Sequence, residues 1–367
     1  MRRRPFFFVV LAILVALSTK TFADDLVLGL SAPFTGPAAA LSQGLRDGVQ
    51  AAVDDINERG GVQGNQLRFI ISDDQCNPAN AMATAERMIN VDKVIALIGY
   101  PCGATSVAVS KVARDRNLLL IVIGSGQSVP DGRVSPVLHM LAPLRQLADT
   151  VGDYVKSNFG GKRIGLWFPT PGFFARDVRG AIESRLGASL LYANFDRSTP
   201  SWLSAVDVLV APPPLATSVD TARLSNVITP ASVMSEQLAS ALIKNPKLFA
   251  LTNPPAQDFP DATNVLARAK NAHIRTDGYF VYAYAAVEVF RDAAQKAQSM
   301  SGGALFKAAT GSLNSTILGN RRFDESGNIQ GLYIIGSMKS GETIASVDLC
   351  KRNDCKDFKQ CPPDCPK

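Results

Sequence analysis

From residue 24 onward the chain alternates short apolar runs with amphipathic segments, and this alternation restricts the fold more than any other feature. Residues 26–30 are an apolar run, and 31–37 form a loop rich in Ser, Pro and Gly. The next segment carries Leu45, Val49, Ala52, Val53 and Ile56 at helical spacing until Gly60-Gly61 stops it. The pattern then predicts strand 67–72, helix 78–90, strand 94–99, helix 105–116 and strand 118–123. Apolar strands separated by amphipathic helices form parallel βαβ units, with both faces of the sheet covered.

The alternation restarts after Pro143, with a helix over 144–159, a strand over 163–168, a helix over 175–186 and a strand over 206–211. One sheet rarely absorbs so many crossovers, and 367 residues suffice for two domains, so a second α/β lobe is expected. Pro212-Pro213-Pro214 and Thr252-Asn253-Pro254-Pro255 are loops behind apolar strands. Residues 279–298 read as a long helix with Tyr282, Ala286, Val289 and Ala293 on one face. Ligands of open α/β sheets bind beyond the carboxyl ends of the strands. A site is therefore expected among loops 31–37, 100–104, 124–130, 169–174, 211–214 and 252–255.

Composition narrows the function. The chain is 46% hydrophobic and 19% charged, as a globular protein is. Its formal charge of +6 owes much to Arg2, Arg3, Arg4 and Lys20; without them the Lys and Arg fall to 34 against 32 Asp and Glu. That balance, with no basic run interleaved with aromatics, excludes a nucleic-acid partner. The basic start, the apolar run 6–17 and Thr21-Phe22-Ala23 read as a signal peptide over residues 1–23, cleaved after Ala23. Twelve apolar residues fall short of the roughly 20 that span a bilayer, so a chain exported to an oxidising compartment is expected.

The six cysteines fall into two groups, Cys76 and Cys102 in the body and Cys350, Cys355, Cys361 and Cys365 near the C-terminus. Export makes disulfides the default for all six. The tail spacing lacks the paired knuckles of zinc sites, and His139 and His273 have no third ligand beside them in sequence, so no metal is expected. No cofactor motif is present: neither G-x-G-x-x-G nor a P-loop occurs.

Several of these segments resemble a known family. Residues 28–37, Gly44, Gly48 and 51–64 together resemble the opening of the branched-chain amino-acid (Leu/Ile/Val) binding proteins of ABC transporters. The likeness continues through 73–78, 94–99 and Cys102, and the stretch 323–331 resembles the family's closing hairpin. The resemblance implies the type I periplasmic-binding-protein clamshell: two doubly wound α/β lobes joined by three crossovers and closing on a small solute. It implies lobe one over 24–143 plus 275–330 and lobe two over 144–274 plus 331–349, leaving 350–367 as a Cys-rich tail without a family counterpart. It also implies a Cys76–Cys102 disulfide on the rim of lobe one. Lobe two looks abbreviated, because about ten residues separate Phe195 from the strand at Val206, too few for the usual helix.

Ligand contacts implied by the resemblance start at Tyr100-Pro101-Cys102-Gly103-Ala104-Thr105, where amides at a helix start favour an anion. The family's serine after the second cysteine is Gly103 here, with Thr105 as its substitute. In the next loop Ser128 takes the family's second hydroxyl position and Gly126 a carbonyl contact, with Gln127 between them. Aligning on Phe249 puts Asn253 where amino-acid binders carry the acid for the ammonium group, and no Asp or Glu lies between Glu236 and Asp258. Tyr100, Phe173 and Phe174 are candidate aromatic contacts, with core packing the alternative for each. Fold and delivery role are thus better supported than an amino-acid ligand.

The expected function is the solute-binding component of an ABC uptake system, a monomer that passes a small polar or weakly acidic solute to an inner-membrane permease. A ligand-sensing module feeding a receptor or regulator is the alternative, because the same clamshell serves both. An enzyme is the rival from another class, yet Gly124-Ser125-Gly126 only half resembles a nucleophile elbow and no acid–base partners accompany Thr105.

Overall fold

The structure is a computed structural model and describes residues 25–36, 39, 42–125, 136–168, 173–218, 224, 226–276, 278–331, 335–339 and 342–346. The expected signal peptide and the tail cysteines lie outside these residues. No helix among the described residues is long and apolar enough to cross a membrane.

Lobe one is built as the alternation predicts. Strands β1 (Leu26–Ala32), β2 (Leu67–Asp73), β3 (Ala96–Gly99), β4 (Leu119–Ser125) and β5 (Val137–Leu141) form a parallel sheet in the order β2-β1-β3-β4-β5. Helices α1 (Ser42–Glu58), α2 (Pro78–Asn90) and α3 (Gly103–Asp115) connect the first four strands. Successive residues face opposite layers: Leu28, Leu30, Ile98 and Ile121 join one core, while Val27, Leu97, Leu120 and Val122 join the other. This two-sided burial explains why the strands read as unbroken apolar runs. Helix α2 starts where the sequence marks it: Pro78 takes the first turn, and the Asn77 side chain accepts from the amides of Ala79 and Asn80.

Lobe two contains α4 (Leu144–Phe159), β6 (Ile164–Trp167), α5 (Phe173–Leu186), β7 (Leu191–Asn194), β8 (Val208–Val210), the single-turn α6 (Pro213–Ala216), β9 (Asn226–Pro230), α7 (Glu236–Lys244) and β10 (Leu248–Thr252). Its sheet is completed by β13 (Ile335–Lys339) and β14 (Glu342–Ser346), which run antiparallel beyond β10 in the order β14-β13-β10-β9-β8-β6-β7. The expected shortage between β7 and β8 is met by a 3-10 turn, Ser201–Ala205. Trp202 from that turn lies over β6 at Gly165, where a Cβ would approach the indole to 2.5 Å. A glycine is therefore what lets one aromatic ring take the place of a helix.

The return to lobe one comes earlier than the boundary at 275. Phe259, with Val265 and Ala269 of α8 (Thr263–Asn271), is buried in the lobe-one core against α9 (Phe280–Lys296), and Arg268 pairs with Asp55 of α1. Periodicity identified an amphipathic segment here, but its apolar stripe does not say which core it covers. The chain then forms α10 (Gly302–Thr310) and the hairpin β11 (Asn314–Thr316) and β12 (Gly319–Arg321) before it re-enters lobe two at β13.

Candidate ligand site at the strand ends

The carboxyl ends of β1, β2, β3 and β4 are fastened to one another by a small set of polar groups. After β3, Gly99 (φ +116°) and Tyr100 (φ +52°) turn the chain across β1, and the Tyr100 amide donates to the Ser31 carbonyl at 2.8 Å. A Cβ on residue 99 would lie 2.1 Å from that same oxygen, so the turn requires glycine. The turn sends the Tyr100 side chain into the core among Leu97, Val109 and Val122. Its hydroxyl lies beside Ser31 and Asp74, and burial holds it above the usual phenol range.

Asp74 is fully buried and was not singled out as a site residue by sequence. It accepts from the Ser31 hydroxyl at 3.0 Å and from the Cys76 amide at 2.9 Å. Burial nevertheless raises its pKa, because those bonds do not fully replace water. Asp73 next to it accepts from the amides of Phe34 and Gln75 and from the Thr35 hydroxyl. Burial works against its charge, but these bonds outweigh it and hold Asp73 below the usual carboxylate range. The two acids thus moor the loops after β1 and β2. The Cys76–Cys102 disulfide, with Cα atoms 5.6 Å apart, ties the same region to the start of α3.

Cys102 is the N-cap residue of α3, and its side chain makes no capping bond. Thr105 donates its hydroxyl back to the Cys102 carbonyl at 2.8 Å, and the Thr105 and Ser106 amides bond to the same oxygen. The Thr105 hydroxyl is thus occupied within the helix start, while the Gly103 and Ala104 amides have no partner among the described residues. Such a helix terminus carries partial positive charge and attracts anions. The end of β4 is its neighbour, since a Cβ on Gly124 would lie 3.4 Å from the Pro101 carbonyl. Ser125 closes β4 with a buried hydroxyl that has no hydrogen-bond partner among the described residues. Gly126, Gln127 and Ser128 follow it and lie outside the described residues.

In lobe two, Phe173 opens α5, and Phe174 stacks edge-on against Phe168 with ring centres 6.1 Å apart at the margin of the lobe-two core. Asn253 does not present a free amide. It is 1% exposed, its Oδ1 accepts from the Ala142 amide at 3.0 Å, and its Nδ2 donates to the Ser232 carbonyl at 2.8 Å. Both partners are remote in sequence, so nothing local announced this role. The other loop beyond a lobe-two strand, 231–235 after β9, buries Ala231, Val233 and Met234 and carries no acid. Asp258, behind the crossover, is the first acid after β10; it is exposed, and its pKa is raised by partial burial. No group of three or more His, Cys, Asp or Glu among the described residues is placed to hold a metal ion.

Comparison with known proteins agrees with this architecture. Residues 26–188 match the family model described as periplasmic binding protein. An amino acid binding protein of Pseudomonas aeruginosa is 23% identical over 340 residues, covering 86% of this chain and 90% of its own. A branched-chain amino acid transporter substrate-binding protein of Streptococcus pneumoniae, solved with isoleucine, superposes with a TM-score of 0.75 at 17% identity, covering 88% of this chain and 98% of its own. A solute-binding protein of an ABC transporter from Rhodopseudomonas palustris, solved with 3,4-dihydroxybenzoic acid, gives a TM-score of 0.69 at 19% identity, covering 85% and 92%. The chain is thus similar to the branched-chain amino-acid-binding proteins of ABC transporters and has the type I periplasmic-binding-protein fold.

Proposed function

We propose that this protein is the exported solute-binding component of an ABC uptake system and that it delivers a small monocarboxylate with an uncharged tail to its permease, without altering it. The observation that carries this reading is the unequal chemistry of the two cleft faces. On lobe one, the Gly103 and Ala104 amides at the start of α3 have no partner among the described residues, and the neighbouring strand β4 ends on the buried Ser125 hydroxyl, which supports an anion-binding role for this rim. On lobe two, the loop 231–235 offers no carboxylate for an ammonium group, and Asn253 is already engaged. A desolvated ammonium without a partner costs several kcal/mol, which is orders of magnitude in affinity. A solute-binding protein of the same fold holds 3,4-dihydroxybenzoic acid, a carboxylate without an amine, and the partly buried Phe174 at the margin of the lobe-two core is an aromatic surface suited to such a ring.

A thermal-shift screen of the secreted chain tests it, with benzoate, hydroxybenzoates, short aliphatic acids, their amides, and leucine, isoleucine and valine. Ligand that binds only the native state raises the melting temperature. The acids are expected to do so and to be recovered chemically unchanged. A shift confined to the amino acids contradicts the ligand class, and recovery of an altered compound contradicts the delivery role.

A further inference from the structure

The chain leaves lobe one at Ala142-Pro143, between β5 and α4, and returns at Asn253-Pro254-Pro255, behind β10. Asn253 joins these two crossovers. Its carboxamide is buried between the Ala142 amide, a donor, and the Ser232 carbonyl, an acceptor, and the Asn253 amide also points to Ser232. A side chain that accepts on one side and donates on the other has to be an amide at this length. Aspartate sets a second acceptor against the Ser232 carbonyl, and alanine leaves the buried Ala142 amide with no partner. The residues on either side are constrained as well. Pro254 and Pro255 fix the backbone that follows. The Pro254 carbonyl accepts the hydroxyl of Tyr282, which is rooted in the lobe-one core on α9.

We propose that Asn253 is a positioning residue of the hinge. It pins the first two crossovers to each other and to the loop after β9, sets the angle between the lobes, and so governs the affinity of the cleft without touching the ligand. The link to affinity rests on the solute-binding reading above; the effect on the interlobe angle does not. Small-angle X-ray scattering of the ligand-free chain therefore comes first, comparing wild type with Asn253→Ala and Asn253→Asp. Both folded variants are expected to show a larger radius of gyration than wild type.

Calorimetry with benzoate and with leucine follows. Benzoate affinity is expected to fall about tenfold in both variants, the size of a coupling between separate sites, and Asn253→Asp is expected to gain no leucine binding. Unchanged scattering together with unchanged benzoate affinity overturns the proposal. So does leucine binding acquired by Asn253→Asp, because that result places residue 253 against the ligand's ammonium group. If wild type binds no benzoate, the ligand class fails and the scattering comparison alone decides the hinge. If neither variant folds, hydrogen exchange on the wild type decides: the Ala142 amide is expected to exchange slowly without ligand, and fast exchange overturns the proposal.

Discussion

The two lobes share a topology and differ in how thickly it is clothed. Lobe one places full helices on both faces of its sheet, fastens its ligand-side loops with Asp73, Asp74 and a disulfide, and receives α8, α9 and α10 as additional cover. Lobe two covers one face of β6 with a 3-10 turn, follows β8 with a single helical turn, and carries no acid in the loop 231–235 after β9. The difference teaches where specificity can vary. Under the proposed function, the braced lobe would hold the anionic end of a solute and the thinner lobe would meet the other end.

The largest effect that sharpens this contrast concerns the brace itself. Replacing Cys76 and Cys102 by serine opens a loop spanning 26 residues of separation, which in the chain-entropy model costs about 3 to 4 kcal/mol. Denaturant unfolding followed by hydrogen exchange is expected to place that loss in lobe one. Equal loss of protection in α4 and α5 of lobe two contradicts the separation drawn here.

A second test uses two buried titrating groups of lobe one that act in opposite directions. Burial lowers the pKa of His139 from its ordinary 6.5 to about 4, opposed by Asp324. The stability contributed by neutral His139 is complete above about pH 6.5 and is lost as pH falls through that window. Burial raises Glu288 from 4.5 to about 7, opposed by the Ile317 amide and Arg291. The folded chain favours its protonated form, so the burden of its charge is relieved as pH falls from 7 towards 4.5. Each contribution amounts to up to about 3 kcal/mol, and in wild type they largely offset. Glu288→Gln is expected to lose stability on acidification from pH 6.5 to 4, and His139→Gln to gain it from pH 7 to 4.5, both read from urea unfolding midpoints. Parallel pH profiles in the two variants contradict the assignment.

The smallest effect falls in lobe two. Trp202 is only partly buried, so Trp202→Ala is expected to cost about 2 kcal/mol, below the range for a fully buried Trp. Its near-ultraviolet dichroism and unfolding midpoint report this. A loss equal to that of the disulfide variant means that lobe two has no thinner side.

Much of the architecture was legible because two-sided burial turns strands into continuous apolar runs and the βαβ connections into periodic helices. The weak β7–β8 connection was also readable, since ten residues cannot hold a strand exit, a helix and a strand entry. Three features were not legible. The amphipathic stripe of α8 fits either core, so the crossover was placed at 275 when Phe259 is already back in lobe one. Tyr100 read as a loop aromatic, but the positive φ values of Gly99 and Tyr100 turn its ring inward. Asn253 was found by register with an acid, whereas its partners Ala142 and Ser232 are 111 and 21 residues away. A bond that long in sequence leaves no periodic trace.

The central claim is that lobe one binds a carboxylate while lobe two offers nothing to an amine, and it is tested most directly by calorimetric titration of the wild-type chain at pH 7 with benzoate and with leucine. The account predicts measurable binding of benzoate and weak or absent binding of leucine. Sub-micromolar leucine binding contradicts it, and shows that an acid such as Asp258 enters the cleft.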